Sequence, residues 1–541
     1  MTNPRKDLTA PPDLAHQRRT GPVRLQRTEY VDLLPPCNKG CPAGEDIQGW
    51  LALVEAGRLE DAWRHLVRDN PMPAVHGRVC YHPCETACNR AQLDSAVSIH
   101  AVERFLGDRA REAGWKIVVD APASGRRVLV VGAGPSGLSA AYHLARLGHE
   151  VEVHEAGPMA GGMMVFGIPA YRLPRQVLAD EVRRIEEMGV RFVFDHKVED
   201  VLAEKRDGAF DAVFLAIGAQ IGKRTEIPAR DAGKILDALA FLHDASGGSA
   251  PKLGRRVAIY GGGNTAMDVA RTAKRLGYEP LIIYRRDRDH MAATAQEADE
   301  AVEEGVKIHW LRTIKTIDAS SFTVEIMELD AAGRPQPTGR LETIEADALV
   351  LALGQNVDTG FLKNVAGLEL TRDGTIAVSE AMMTGHDGVF AGGDMVPGER
   401  SVTVAVGHGK KAAGHIDAYL RGATLAKPTP HPVATFGLLH LPFYTDAARK
   451  PQQVLDDARR VASFDEVVSG LSSSEAAFEA KRCLSCGNCY ECDGCYGACP
   501  EDAIIKLGPG NRYRYDYDRC TGCAVCFEQC PCHAIEMRPE P

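Results

Sequence analysis

The sequence predicts an α/β multidomain protein, and three observations carry that prediction. Two apolar runs, Val128-Leu129-Val130-Val131 and Val257-Ala258-Ile259-Tyr260, each enter a glycine turn and then a helical pattern, which is how a βαβ unit opens. They lie about 130 residues apart, so two related folds are expected. The third observation is the cysteine distribution: eleven of the sixteen lie between residues 483 and 532. At 541 residues the chain is several times the usual ~100–200 residues per domain, so several units are expected, each with its own core.

Composition narrows the partners. The formal charge is −10, and the only scattered basic stretch is residues 1–30, where Arg5, Lys6, Arg18, Arg19, Arg24 and Arg27 stand among prolines and acids. Such a chain has no electrostatic footprint for nucleic acid, which leaves small anions and proteins as partners. Residues 1–30 lack the apolar stretch of a secretory signal and read as a flexible tail. No window of about twenty residues escapes charge or glycine punctuation, so no membrane span is expected. Cysteines grouped in metal-binding spacings within a large chain suit a reducing cytoplasm rather than a disulfide-stapled secreted domain.

Residues 31–124 read as a helical domain punctuated by cysteines, because apolar positions recur at helical spacing in Ile47 to Val54 and Leu59 to Val67. Residues 125–250 open the first nucleotide unit. There Gly132-Ala133-Gly134-Pro135-Ser136-Gly137 is a G-x-G-x-x-G turn, which lets a pyrophosphate approach the helix N-terminus. Glu155 ends the next strand pattern, where a carboxylate accepts ribose hydroxyls and repels a 2′-phosphate. Residues 251–370 form the second unit, with Gly261-Gly262-Gly263-Asn264-Thr265-Ala266 as the G-x-G-x-x-A variant. At the corresponding strand end stand Arg285 and Arg286, whose guanidinium groups suit a 2′-phosphate and favour NADP(H); Asp287 keeps NAD(H) open. Opposite ribose chemistry implies two different dinucleotides.

In the tail, Cys489, Cys492, Cys495, Cys499-Pro500 and Cys520, Cys523, Cys526, Cys530-Pro531 repeat C-x2-C-x2-C-x3-C-P. Three thiolates two residues apart wrap one face of an iron–sulfur cube and the fourth reaches to the other copy's cube. The expected ligand sets are Cys489, Cys492, Cys495 with Cys530, and Cys520, Cys523, Cys526 with Cys499. Structural zinc is the competing reading of C-x2-C pairs, and two complete octet halves disfavour it.

Taken together, these residues resemble the glutamate synthase small-subunit family, which includes the large subunit of the NADH-dependent ferredoxin:NADP oxidoreductase and the N-terminal half of dihydropyrimidine dehydrogenase. The resemblance covers roughly residues 37–420. It is carried by Cys37-x3-Cys41-Pro42, Gly77-Arg78-Val79-Cys80 through Cys84 and Cys88, Gly132 to Gly137, Gly162 with Gly167-Ile168-Pro169-x-x-Arg172-Leu173-Pro174, Gly261 to Asp268, and Ala391-Gly392-Gly393-Asp394. It implies two Rossmann-like nucleotide domains, with FAD in the first and the NAD(P) domain inserted within it. Residues 371–423 would then be the second part of the FAD domain, 424–470 a linker, and 471–541 a bacterial ferredoxin-like α+β domain. By resemblance Asp394 holds the flavin ribityl chain and Thr403 stands near the isoalloxazine; Gly162, Arg172, Gly218, Gly393 and Gly354 are further cofactor positions. For Asp394 a helix N-cap is the plainer alternative.

The resemblance also implies a cluster on Cys41, Cys80, Cys84 and the carboxylate of Glu103. Where family members carry a first cysteine pair, Glu29 and Asp32 stand instead. The segment Glu479 to Cys486 resembles that missing pair, displaced to just before the tail. A cluster on Cys37, Cys88, Cys483 and Cys486 is therefore expected to tie the tail to the N-terminal domain, giving three or four [4Fe-4S] clusters and leaving Cys532 unassigned.

Nicotinamides exchange two electrons as hydride and [4Fe-4S] clusters pass one, so a flavin between them is chemically required. The expected function is an NAD(P)H oxidoreductase or electron-transfer subunit serving a partner redox enzyme, of 2-oxoacid or aromatic acyl-CoA type by resemblance. The alternatives are the glutamate synthase small subunit, which does not normally carry such a tail, and a nucleotide-binding redox sensor without turnover. Hydride transfer needs orientation and no acid–base pair, so no catalytic residue is expected. His408 and Lys410 read as flavin neighbours or as plain surface groups.

Overall fold

A computed structural model describes residues 24–540 except 224, 226, 229–233, 363, 364, 427 and 428. The basic residues Arg5, Lys6, Arg18 and Arg19, and Pro428 in the connector, lie outside the described residues. No described helix is long and apolar enough to cross a membrane.

Two parallel five-stranded sheets form the middle of the chain. The first runs Val389–Ala391, Ala212–Leu215, Arg127–Val131, Glu150–His154, Arg191–Val193, and the second Lys307–Trp310, Glu279–Tyr284, Arg256–Tyr260, Ala348–Leu351, Lys234–Asp237. Their central strands are continuous apolar runs because both faces are covered, in the second sheet by helices on one side and by an antiparallel sheet on the other, so no polar alternation survives. A three-stranded antiparallel sheet, Arg312–Ile317, Ser321–Leu329 and Pro335–Glu345, is appended to the second unit. Ile221–Gly222 pairs antiparallel with Gln355–Asn356, so the chain leaves the first unit and returns to it side by side. The second unit is thus an insertion, and it begins and ends earlier than residues 251–370. Lys234–Asp237 already pairs with Ala348–Leu351, and Val357, Leu362 and Val365 already pack in the first unit's core. The sequence boundaries missed this because they followed the glycine turns, whereas sheet membership is set by pairing across more than a hundred residues.

Two further boundaries move. Gln26–Tyr30, read as part of a flexible tail, is a strand paired antiparallel with Ile535–Pro539. Its charged residues hide any apolar alternation, yet Thr28 is buried and the Tyr30 ring lies 5.1 Å from that of Tyr515. Arg24 then bridges Glu540 and the Cys520 carbonyl. At the other end, helix Ser473–Lys481, read as the start of the ferredoxin-like domain, completes the N-terminal core instead. Leu471, Ala476 and Ala480 pack with Trp50, Trp63 and Leu106. The helix starts at a capping box in which Ser472 and Glu475 satisfy each other's backbone N–H groups.

The connector is pinned rather than loose. Arg449 bonds Glu85 and Ser98, Val467 N–H donates to the Tyr171 carbonyl, and Arg460 of helix Asp457–Ala462 reaches Glu304 in the second unit. The tail itself contains a hairpin, Ile504–Lys506 with Tyr513–Tyr515, between its two short helices Gly494–Ala498 and Val525–Glu528.

Candidate functional site

A cavity of about 450 Å³ opens at the carboxyl ends of the first sheet. That is where open α/β sheets bind ligands. Gly132 (φ +101°) turns the chain there, and a side chain at this position would meet the Ala216 carbonyl at 2.5 Å. A Cβ on Gly137 would strike the Gly132 carbonyl, so only glycine lets helix Pro135–Arg146 sit this close beneath the turn. Gly132, Gly134, Glu155, Gly162, Arg172, Gly218, Gly393 and Asp394 all line the cavity. Glu155 accepts hydrogen bonds from the Ala133 and Gly157 N–H groups at 2.8 Å, so it braces the turn while facing the ligand space. Asp394 sits in the turn Gly393–Met395 rather than capping a long helix, and burial raises its pKa against the pull of Arg400. Ser401 supplies the cap of helix Val402–Leu420 by accepting from Val404 N–H.

His408 accepts from Gly393 N–H at Nδ1, 3.2 Å away, so it buttresses the Asp394 turn from behind. Lys410 points away from the cavity and holds the Ala43 and Gly44 carbonyls and Asp69. Both positions on this helix thus serve its docking, one on the sheet end and one on the cysteine domain. Gly407 continues that docking, since a Cβ there would lie 2.1 Å from the Pro42 carbonyl, beside Cys41.

Of the second turn, Asn264 and Thr265 reach the same cavity, together with Asp268. Gly261, Gly263 and Gly354 lie outside its lining, as do Arg285 and Arg286. Arg285 is exposed, and the Arg286 Nε is buried with no hydrogen-bond partner among the described residues. Asp287 is engaged by His290 at 2.7 Å. Arg172 differs from its sequence reading: its guanidinium donates to both Asp268 oxygens at 2.9 Å and pairs with Glu297. It borders the cavity but its charge is spent on binding the two nucleotide units to each other. Glu297 is held up at about 7 by burial in spite of Arg172.

All sixteen cysteines are free, and most are buried or half-buried. Cys37, Cys88, Cys483 and Cys486 line one small cavity. Cys489, Cys492, Cys495 and Cys530 line another with Cys532, and Cys499, Cys520, Cys523 and Cys526 a third. Burial pushes Cys483 up to about 12, Cys486 to about 11 and Cys495 to about 12. Thiols gathered in fours and held neutral by burial are poor nucleophiles, but a bound cation deprotonates them outright, so the donor sets fit metal clusters.

Cys41, Cys80, Cys84 and Glu103 form the fourth group. Cys41 feels the charges of Glu103 and Cys80, and Cys84 those of Cys80 and Cys41. Burial raises Glu103 well above the usual carboxylate range. Sequence reasoning missed its company: Asn70 Nδ2 donates to Glu103 at 2.6 Å and to Glu45 at 3.0 Å, with His76 Nδ1 3.9 Å from Glu103. Glu45 follows Cys41-Pro42 closely, and its deep burial was the unseen signal. Val79 and Tyr81 line the main cavity while Cys80 lies between them; burial pushes the Cys80 thiol up to about 12, against the pull of Thr403 at the start of the adjoining helix. Thr403 therefore belongs to the wall between cavity and cysteines rather than to the cavity lining.

Comparison with known proteins agrees with this architecture. Residues 126–409 match the model of the pyridine nucleotide-disulphide oxidoreductase family, residues 33–115 that of dihydropyrimidine dehydrogenase domain II with its 4Fe-4S cluster, and residues 513–536 a 4Fe-4S binding domain. The NADP(+)-dependent formate dehydrogenase subunit beta of Moorella thermoacetica is 35% identical over 498 residues, covering 83% of this chain and 70% of that one. The NADPH-Fe(3+) oxidoreductase subunit beta of Geobacter sulfurreducens is 32% identical, covering 83% and 75%. The small chain of glutamate synthase [NADPH] from Azospirillum brasilense is 33% identical, covering 72% and 87%. With a dinucleotide cradle, a second nucleotide turn and buried cysteine sets on one chain, this protein belongs to the pyridine nucleotide-disulphide oxidoreductase family and is an NAD(P)H-dependent flavin and iron–sulfur oxidoreductase of the kind related to the glutamate synthase small chain.

Proposed function

We propose that the chain is the electron-transfer subunit of a larger cytoplasmic complex, carrying electrons between NADP(H) and a partner redox protein of the 2-oxoacid or aromatic acyl-CoA type. The carrying observation is the three-residue wall Val79-Cys80-Tyr81, in which Val79 and Tyr81 line the main cavity and the cysteine between them belongs to the first buried cysteine set. Bound flavin accepts two electrons as hydride and passes them on singly, which is what a nicotinamide and a cluster chain require between them.

The residues divide the remaining work. Gly132, Gly134 and Gly162 leave room for the FAD pyrophosphate, Glu155 receives its ribose hydroxyls, and Asp394 meets the ribityl chain. Asn264 and Thr265 open the nicotinamide nucleotide's helix, and the unpartnered Arg286 Nε with exposed Arg285 offers donors to a 2′-phosphate. Cys41, Cys80, Cys84 and Glu103 would hold the first cluster, Cys37, Cys88, Cys483 and Cys486 the second, and the two tail sets the third and fourth. Cys492 and Cys523 are the exposed cysteines, so the tail cubes offer the exit to a partner.

Anaerobic protein given NADPH should lose its flavin absorbance and reduce an artificial acceptor of higher potential such as ferricyanide. A sensor would bind nucleotide and leave the acceptor oxidised, which would sink the proposal. Arg285→Ala with Arg286→Ala should raise KM about 10-fold or more for NADPH and leave NADH nearly unchanged. The relation to glutamate synthase small chains does not extend the same reading to the whole chain, since the Azospirillum relative aligns with only 72% of it.

A further inference from the structure

One side-chain group next to the nucleotide cavity has ligand chemistry that neither dinucleotides nor clusters use. His154 ends strand Glu150–His154 and is 6% exposed. Its Nε2 lies 2.8 Å from Glu152 Oε1, and Glu152 is itself held by Arg127 and Arg191. A carboxylate only accepts, so Nε2 carries the ring proton and Nδ1 keeps a bare lone pair. That Nδ1 is buried and has no hydrogen-bond partner among the described residues.

It faces Glu204 Oε2 at 3.6 Å. Two acceptors confronting each other, one of them a buried ring nitrogen, repel unless a positive charge sits between them. Glu204 stands on helix Val201–Asp207, and its other oxygen lies 2.8 Å from His196 Nε2. One ligand atom from each of His154, His196 and Glu204 lies within 4.8 Å of the others. Two ligands on a tetrahedral zinc ion, with bonds of about 2.0–2.1 Å, are separated by about 3.4 Å, close to the His154–Glu204 spacing.

We propose that His154 Nδ1, His196 and Glu204 form a divalent-cation site suited to zinc, with Glu152 as the outer carboxylate that sets the His154 tautomer. The ion takes the place of the proton shared by His196 and Glu204. Those two side chains are 40% and 27% exposed, so water completes the coordination. Because His154 immediately precedes Glu155, and His196 and Lys197 also line the cavity, the ion cross-links the wall at this end of the first nucleotide site.

The test uses anaerobically purified holoprotein with its clusters loaded, dialysed against zinc chloride. Zinc, iron and flavin are counted per chain, and the zinc X-ray absorption edge reports the ligands. The expected result is about one zinc per chain with a nitrogen and oxygen shell. Loss should follow from Glu204→Gln, with iron and flavin unchanged, and Glu152→Gln should weaken binding about 10-fold. A sulfur shell, which would mean zinc in vacant cysteine sites, overturns the proposal. So does a parent that takes up no zinc, or variants that bind it as the parent does. The parent's absorption spectrum decides the question even where a variant folds poorly, and none of these outcomes depends on the cluster assignments.

Discussion

The tail octet and the Cys37, Cys88, Cys483, Cys486 group are both sets of cysteines around a small cavity, and they are built in opposite ways. The octet is nearly local: its two sets draw on residues 489–530, held by a hairpin and two short helices. The other joins residues about four hundred positions apart. It exists because Arg482, almost fully buried, reaches the Ala447, Ala96 and Ser95 carbonyls along with Asp94 and Glu479, while Arg90 holds the Arg482 carbonyl. A spacing motif can make a site alone. A split site needs a scaffold that is stable before any metal arrives.

The sharpest way to break this contrast is to remove ligands. Cys483→Ser with Cys486→Ser should cost about four iron atoms per chain and make the tail easier to cleave from the N-terminal domain by protease. Cys499→Ser should also cost iron but leave the tail attached. Equal protease resistance in the two variants would show that the split set does not tie the tail down.

Arg482→Ala comes next, because it strands buried Glu479 and partly buried Asp94. Losing one partner of a buried pair costs about 3–5 kcal/mol, which denaturant unfolding of the N-terminal domain should register. Asp94 is held well below the usual carboxylate range, with Arg90 outweighing its burial.

The connector supplies a pH-dependent version of the same comparison. Glu304 is fully buried, yet Arg275 and Arg271 outweigh its desolvation and bring it down to about 2. A depressed carboxylate contributes stability that is complete above its unfolded value, about 4.3, and is lost as pH falls through about 2. Thermal unfolding should therefore shift downward across that window in the parent and less in Glu304→Gln, which starts lower because Arg271, Arg275 and Arg460 lose their anion. A parent and variant with parallel profiles would refute the assignment.

The smallest effect belongs to the N-terminal strand. Thr28 Oγ1 lies 3.2 Å from Cys526 Sγ. Thr28→Val should cost about 1 kcal/mol and shift the reduction potential of that tail cluster, without loss of iron. An unchanged potential would mean that the strand only packs.

Much of this was legible in residues. The glycine turns announced both nucleotide units because a tight turn under a helix N-terminus tolerates little else. The octet spacing announced which tail cysteines share a cavity, since crossing of the fourth cysteine is local geometry. Arg172 lines the cavity, but its ion pairs with Asp268 and Glu297, about a hundred residues on, could not be read from its motif. Strand Gln26–Tyr30 was invisible since its partner lies five hundred residues away and its side chains are mostly polar.

By itself, then, the sequence determined the chemistry: which residue types can cradle a pyrophosphate, take a 2′-phosphate or ligate iron, and in what local spacing. The displaced pair Cys483 and Cys486 was already expected to face Cys37 and Cys88, and they line one cavity; tertiary structure alone decided that Cys80 borders the nucleotide cavity and that Glu45 joins Glu103. The reason is physical. Local motifs are written by backbone geometry over a few residues, whereas long-range neighbours are chosen by burial and ion pairing summed over the whole chain, which no short window contains.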